Sequence, residues 1–546
     1  MREEYDVIIL GGGLAGLSLA RQLKRARPDT SILIAEKRKH PVPEAAHKVG
    51  EALAEVGAHY FDQVLGLKDH LVREQLPKFG LRFFFSAEDN SDIVRRTEVG
   101  PTGLPLVRTY MVDRGRLENR LARGNTELGV EFLDACTVKE ISMGGVSHSA
   151  RLVTPDREIT VSGRWIVDAA GRACLLKRHL GLAEGVGHKA NAAWLRVGRR
   201  ITAGDWSSDR AWQARVPAPF RSFATVHLMG SGYWVWLIPL ASGSTSVGIV
   251  TDSTLHPFSH INRLDKAMEW LREHEPQCFQ AVQDQMHHLQ DFHALQHYAH
   301  GCRQLLSAER WCITGDGGLF FDPLYSPGSD VIAIGNSFIT TAILKDLAGL
   351  SVDEHITLYN RLLATLSDLF LPIYEGQYPL MGNARVMSAK VVWDTSIYWA
   401  ATALLFLHGK YSDAHFMAPL QRCLEQFNQL NAEVQALFRQ WNQVNSPEWH
   451  GGFVNLRAIP LIYTLKRGLV ANLDEIALTS QIWRNLEMFQ NLAMELRSKG
   501  PLGILGQDGK GAVIDQRPYL SADDGPFHPD ALVNSFAQNE ASMAPS

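Results

Sequence analysis

Apolar residues Val7 to Leu10 run directly into Gly11-Gly12-Gly13-Leu14-Ala15-Gly16, after which Leu17, Leu19, Ala20 and Leu23 recur at helical spacing. A second apolar run, 31–35, ends at Glu36. Unbroken apolar runs of this length read as strands buried on both faces, so the first 36 residues predict strand, glycine turn, helix and strand. Between about 80 and 160, short β-like runs (LRFFF, LVRTYMV, VEFLDA, ITVSGRWIVDAAG) alternate with one helical stretch, 113–128. Residues 192–252 add TVHLM, YWVWLIPL and STSVGIV, which predict a sheet laid over a ligand rather than more of the parallel core. After about 340 the pattern turns helical and stays so to 500. Residues 501–546, rich in Gly, Pro, Ser and Asp, predict a flexible tail.

Composition narrows the function classes. Of 546 residues, 45% are apolar and 21% charged, the balance of a globular protein with a sizeable core. The net charge of −4 comes with no basic stripe, which argues against a nucleic-acid partner. Cys136, Cys174, Cys278, Cys302, Cys312 and Cys423 include no CxxC pair, so neither a metal site nor a dithiol motif is expected, only reduced thiols. The longest apolar stretch of the C-terminal half, 397–407, is too short for a membrane span. The start, MREEYD, lacks the secretory pattern, so a cytoplasmic protein is expected.

The glycine turn carries the first chemistry. Gly11 allows the tight turn, and Gly13 lets the backbone approach a pyrophosphate seated on the helix N-terminus with Ala15 beside it. Gly16 lets helix and strand pack closely, and Glu36 is placed to accept a ribose hydroxyl. This is a dinucleotide-binding βαβ unit. Two further segments follow in order: Asp168-Ala169-Ala170-Gly171 after the strand RWIV, and Gly315-Asp316-Gly317-Gly318 before Asp322-Pro323. Trp234-Val235-Trp236-Leu237-Ile238-Pro239 puts two indoles on one face of a strand. Lys78-Phe79-Gly80-Leu81-Arg82-Phe83 places a lysine at the entrance to an apolar strand.

Taken together these segments resemble the flavin-dependent halogenases, phenol/pyrrole branch, within the glutathione-reductase-type flavoprotein superfamily. The resemblance covers roughly residues 5–340. It implies an α/β fold: a Rossmann-type FAD-binding domain with an inserted β-sheet substrate domain and a C-terminal helical region. The core would span 1–340, with the substrate-side sheet at about 80–110 and 190–300, and the helical region 341–500. FAD would be held by Gly11, Gly13, Ala15, Gly16, Glu36, Lys48, Val49, Gly50, Glu51, Arg114, Asp168, Gly171, Gly315 and Asp316.

WxWxIP is similar to the family's tunnel strand, which assigns Trp234, Trp236 and Pro239 to the passage between flavin and substrate. KxGxxF looks like the family's catalytic lysine, here Lys78. Where relatives hold halide on two backbone N–H groups, this chain has Pro327, which has none; Gly328 and Ser329 are then the halide donors. The tryptophan branch carries a glutamate where Tyr325 stands, so free tryptophan is not the expected substrate.

The implied reaction uses reduced FAD from a separate flavin reductase. A flavin hydroperoxide oxidises chloride or bromide to hypohalous acid, and Lys78 delivers the halogen to a small electron-rich aromatic, free or carrier-tethered. A single-component FAD aromatic hydroxylase, or a non-halogenating FAD oxidoreductase of the same fold, remain the alternatives. The 341–500 helices are expected to shape the substrate chamber and a lid, with no catalytic residue among them.

Overall fold

The computed structural model describes residues 2–44, 49–444 and 450–505. Two large sheets organise it. The first has the order Leu306–Ser307, Trp311–Ile313, Glu158–Asp168, Glu4–Leu10, Ile32–Ala35, Glu131–Leu133. Its five strands from Trp311–Ile313 to Glu131–Leu133 pair in parallel. Val7, Ile8, Ile9 and Leu10 are all completely buried, as strands covered on both faces require. The helix Leu14–Ala26 covers one face and buries Leu17, Leu19, Ala20 and Leu23.

The second sheet runs Leu289–Leu295, Ala190–Val197, Thr245–Asp252, Tyr233–Pro239, Thr225–Gly230, Leu81–Phe85, Glu98–Gly100, Phe453–Asn455. Its central strands separate two packing regions by simple alternation. Val235 and Leu237 face a cluster with Trp212 and Trp270, while Trp234 and Trp236 join the main core. The short ribbon Leu76–Lys78 with Thr109–Met111 sits beside it and carries Lys78.

Two expected boundaries shift. The helix Gly328–Leu347 runs straight through residue 340, and Ala342 and Ile343 just beyond that point are still buried. The region after 340 is mainly helical, yet it returns Phe453–Asn455 to the second sheet, parallel to Glu98–Gly100. A three-residue strand completed only by pairing carries no periodicity signal. Of the predicted tail, 501–546, Leu502–Leu505 is instead a helical turn with Ile504 and Leu505 buried; 506–546 lie outside the described residues. Among the described residues no helix is long and apolar enough to cross a membrane.

Candidate active site

A cleft of about 460 Å³ opens at the carboxyl ends of the parallel strands, where α/β folds bind ligands. Gly11, Gly13 and Ala15 line it. Gly11 has φ +115°, and a Cβ there would sit 2.3 Å from the Ala169 carbonyl oxygen, so only glycine fits the turn. Gly13 differs: a Cβ would meet nothing within 4 Å, so its backbone is bare on the cleft side. Gly171 and Gly328 are bare in the same way and line the same cleft. Backbone left uncovered at two helix N-termini and one turn is the cradle a dinucleotide needs. Gly16 does not face the cleft. A Cβ on it would lie 2.1 Å from the Gly11 carbonyl oxygen, which is the close helix–strand approach expected of it.

Glu36 lines the cleft and is aimed by two backbone donors, Gly12 N–H at 2.6 Å and Arg38 N–H at 2.7 Å. Val49, Gly50 and Glu51 line it as well; Lys48 lies outside the described residues. Glu51 is held by Arg196 at 2.7 Å, with Arg196 also 3.1 Å from Asp291. Burial pushes the Glu51 carboxyl up against that attraction. Arg114 donates to the Val49 carbonyl at 2.6 Å and to Glu118 at 3.0 Å, which fixes the loop. Gly315 (φ +63°) and Asp316 face the cleft, and burial raises the Asp316 carboxyl.

Asp168 needs correction as a cofactor ligand. It is wholly buried under the turn and accepts from Ala170 N–H at 3.0 Å and Leu176 N–H at 2.8 Å. Its turn, Ala169 to Ala173, lines the cleft, while Asp168 lies beneath it, shapes the loop and does not line the cleft itself.

Trp234 and Trp236 line the cleft with ring centroids 5.6 Å apart. Pro239, grouped with them in the sequence, lines neither cavity. It ends the strand opposite Thr245, where the alternation and the strand's length carry it away from the indoles. The Trp234 indole N–H donates to the Tyr378 hydroxyl at 3.0 Å. Tyr378 donates in turn to Asp322 at 2.6 Å, and Tyr298 and His188 reach the same Asp322 oxygen at 2.7 Å each. Asp322 was visible as part of a motif; its role as the buried clamp joining the tryptophan strand to the C-terminal region was not.

A second cavity of about 140 Å³ lies on the far side of Pro327, the residue that lines both. Lys78 faces it, 4% exposed, with its amine donating to the Leu53 carbonyl at 2.9 Å. Burial pulls the amine down from the ordinary lysine range to about 8, against the opposing pull of Glu55 and Asp330. His227 stacks on Phe83 at 4.7 Å and lines the flavin-side cleft, and burial with the Lys78 charge holds it neutral, down to about 3. The two indoles therefore wall the first cavity and not the chamber that holds Lys78.

The C-terminal helices contribute much of that chamber. Tyr398 and Trp399 come from the point where the helix Ala384–Tyr398 gives way to a π-helical turn, Trp399–Ala403. Lys466 rests over the Trp399 ring at 4.4 Å and 3.8 Å from Glu55. Tyr325, in a left-handed backbone (φ +68°), donates its hydroxyl to Asp394 at 3.0 Å, and Asp394 is paired with Lys390 at 2.8 Å. Apart from Tyr325, none of these residues belongs to a local motif.

Residues 4–247 match the family described as FAD binding domain. A flavin-dependent halogenase of Dictyostelium discoideum is 28% identical over 476 residues, covering 79% of this chain and 76% of that protein. A 1H-pyrrole-2-carbonyl-[peptidyl-carrier protein] chlorinase of Pseudomonas fluorescens is 24% identical, covering 60% of this chain and 73% of that protein. Among solved structures, halogenase PltM in complex with phloroglucinol and FAD superposes with a TM-score of 0.62 at 15% identity, over 87% of this chain and 99% of that one. The likeness to that structure is one of fold, and it includes the C-terminal region. The matched domain and the relatives agree on the cofactor: this chain is an FAD-dependent oxidoreductase similar in sequence to flavin-dependent halogenases.

Proposed function

We propose that the chain halogenates an electron-rich phenolic or pyrrolic substrate, with Lys78 delivering the halogen. The observation that carries the reading is the position of Lys78. Its amine is buried in a largely apolar chamber that meets the flavin-side cleft at the Pro327 turn. Bound FAD, reduced by a separate reductase, supplies the oxygen-activating and halide-oxidising chemistry.

The chain's own groups do the rest. Gly11, Gly13, Gly171 and Gly315 present backbone to the cofactor, and Glu36 accepts from it. Gly328 and Ser329 open the 20-residue helix Gly328–Leu347, whose first N–H groups have no acceptor within the helix and favour an anion there. The indoles of Trp234 and Trp236, locked through Tyr378 and Ser246, keep bulk water and substrate off the flavin side. Lys78 hydrogen-bonds hypohalous acid, or carries its halogen as a haloamine, and presents it to the ring. Both protonation states of Lys78 are accessible near neutrality.

The test is a product mass spectrum from the full chain with FAD, a flavin reductase, NADH and oxygen, in chloride and in bromide. The panel holds free phenols and pyrroles and a pyrrole-2-carbonyl thioester on a carrier protein. A product bearing the halogen's isotope pattern is expected from at least one member. Peroxide alone in both salts across the panel would replace this reading with a non-halogenating oxidoreductase.

A further inference from the structure

The chamber that holds Lys78 is lined by three carboxylates, Glu55, Asp330 and Asp394. They are not equivalent. Asp394 is neutralised by Lys390 at 2.8 Å and also accepts from Gln435 and Tyr325. Glu55 faces Lys466 at 3.8 Å. Asp330 is 1% exposed, and its hydrogen-bond partners are all uncharged: Gly57 N–H at 2.8 Å, the Tyr398 hydroxyl at 2.6 Å and Ser329 Oγ at 3.4 Å. A carboxylate oxygen has two lone pairs; Oδ1 takes the Gly57 and Ser329 bonds and Oδ2 only the Tyr398 bond, so Oδ2 keeps one lone pair.

The placement is built by sequence. Asp330 stands in the first turn of Gly328–Leu347, where the helix dipole favours an anion. Gly57 lets its own helix come against that turn: a Cβ there would lie 2.3 Å from Ser329 Oγ and 3.1 Å from Asp330 Oδ1. Tyr398 is held in turn by Val56 N–H at 3.1 Å, so the carboxylate is fixed from two sides.

We propose that Asp330 is a second catalytic group of this chamber, the base that takes the proton from the ring carbon being halogenated; this rests on the halogenase reading above. The oxidant is hypohalous acid hydrogen-bonded to the Lys78 ammonium. The ring's π electrons form the carbon–halogen bond as the halogen–oxygen bond breaks. The leaving hydroxide takes a proton from Lys78 and departs as water. The C–H electron pair returns to the ring as its proton passes to the Asp330 carboxylate. Asp330 then returns that proton to the Lys78 amine, and both groups are reset. The sum is ArH plus HOX giving ArX plus water.

The charged state of each group supports this cycle. Burial raises the Asp330 carboxyl to about 7 and lowers Lys78 to about 8, with Glu55, Lys466 and the Tyr398 hydroxyl as the other titratable groups facing the pair. Two groups so nearly matched exchange a proton at little cost.

The experiment compares the wild-type holoenzyme with Asp330→Asn, using a substrate the wild type halogenates, ring-protiated and ring-deuterated. Wild type should show no primary isotope effect on product formation. Asp330→Asn should bind FAD, lose about 100-fold in rate, and acquire a primary isotope effect, because proton removal becomes slow. Near wild-type rate overturns the proposal, and so does a slow variant with equal rates for both isotopes, which marks a structural role. If Asp330→Asn fails to hold FAD, Tyr398→Phe decides. Losing the hydroxyl that stabilises the charged carboxylate should move the acid limb of the rate–pH profile upward, and an unmoved limb overturns the proposal. A wild type that halogenates nothing removes the halogenase reading and this proposal with it.

Discussion

Lys78 is a lysine where packing alone would favour an apolar residue. Its amine holds one hydrogen bond, to a backbone carbonyl, and burial lowers it from 10.5 to about 8. The unfolded chain therefore binds that proton more tightly than the native chain. Native stability falls as pH drops from 10.5 to about 8 and levels off below, by roughly 3 kcal/mol. Lys78→Met should consequently melt above wild type at pH 7, with the gap closing toward pH 10, while retaining FAD and losing halogenated product. Equal or lower melting at pH 7 would mean the amine is better solvated than its burial implies; retained product would make it an ordinary lysine. The local string KxGxxF marked this residue. Nothing local marked Asp330 or Tyr398, because a carboxylate and a phenol gain meaning only from what they face.

Two glycines three residues apart, Gly13 and Gly16, show how one short segment carries two separate demands. Gly13 has open space beyond its Cα and Gly16 has a carbonyl oxygen 2.1 Å from where its Cβ would be. Gly13→Val should fold, with an unchanged circular dichroism spectrum, and fail to retain FAD on gel filtration. Gly16→Val should fail earlier, as insoluble or low-melting protein, because the helix Leu14–Ala26 can no longer reach the strand Glu4–Leu10. Matching phenotypes would mean that the cleft does not depend on bare backbone at Gly13. The helix Gly328–Leu347 offers a second contrast. Proline is tolerated in a first turn, so Ser329→Pro should keep the helix and FAD yet suppress product in chloride and bromide alike. Wild type should brominate at least as efficiently as it chlorinates, since Pro327 leaves the anion one donor fewer and bromide is the easier halide to desolvate and oxidise. Full chlorination by Ser329→Pro would place the halide elsewhere.

At the scale of the whole molecule, the FAD-binding half and the C-terminal helices are tied through buried polar bonds. Asp322 gathers His188, Tyr298 and Tyr378, and Tyr325 reaches Asp394 on the helix Ala384–Tyr398. The Lys78 chamber exists because those helices close it. The chain's one glycine-turn dinucleotide signature is taken by FAD, so the purified protein should oxidise NADH or NADPH very slowly without a reductase, with or without substrate. Rapid substrate-stimulated oxidation of NADPH by the protein alone would favour the single-component hydroxylase.

Much of the flavin half was legible in the sequence because its demands are local. A strand buried on both faces must be apolar throughout, a turn at φ +115° must be glycine, and alternate residues of a strand must share a face, so Gly11, Gly13, Glu36, Trp234 and Trp236 could be read from spacing. What the tertiary structure decided were the non-local matters. It withdrew Asp168 into the turn and carried Pro239 away from both cavities. It ran a helix through a supposed boundary and recruited Phe453–Asn455 to a distant sheet. It also brought Asp330, Asp394, Tyr398 and Lys466 around Lys78. Periodicity reports which face of an element is buried and says nothing of which other element covers it; the chamber is made entirely of that second kind of information.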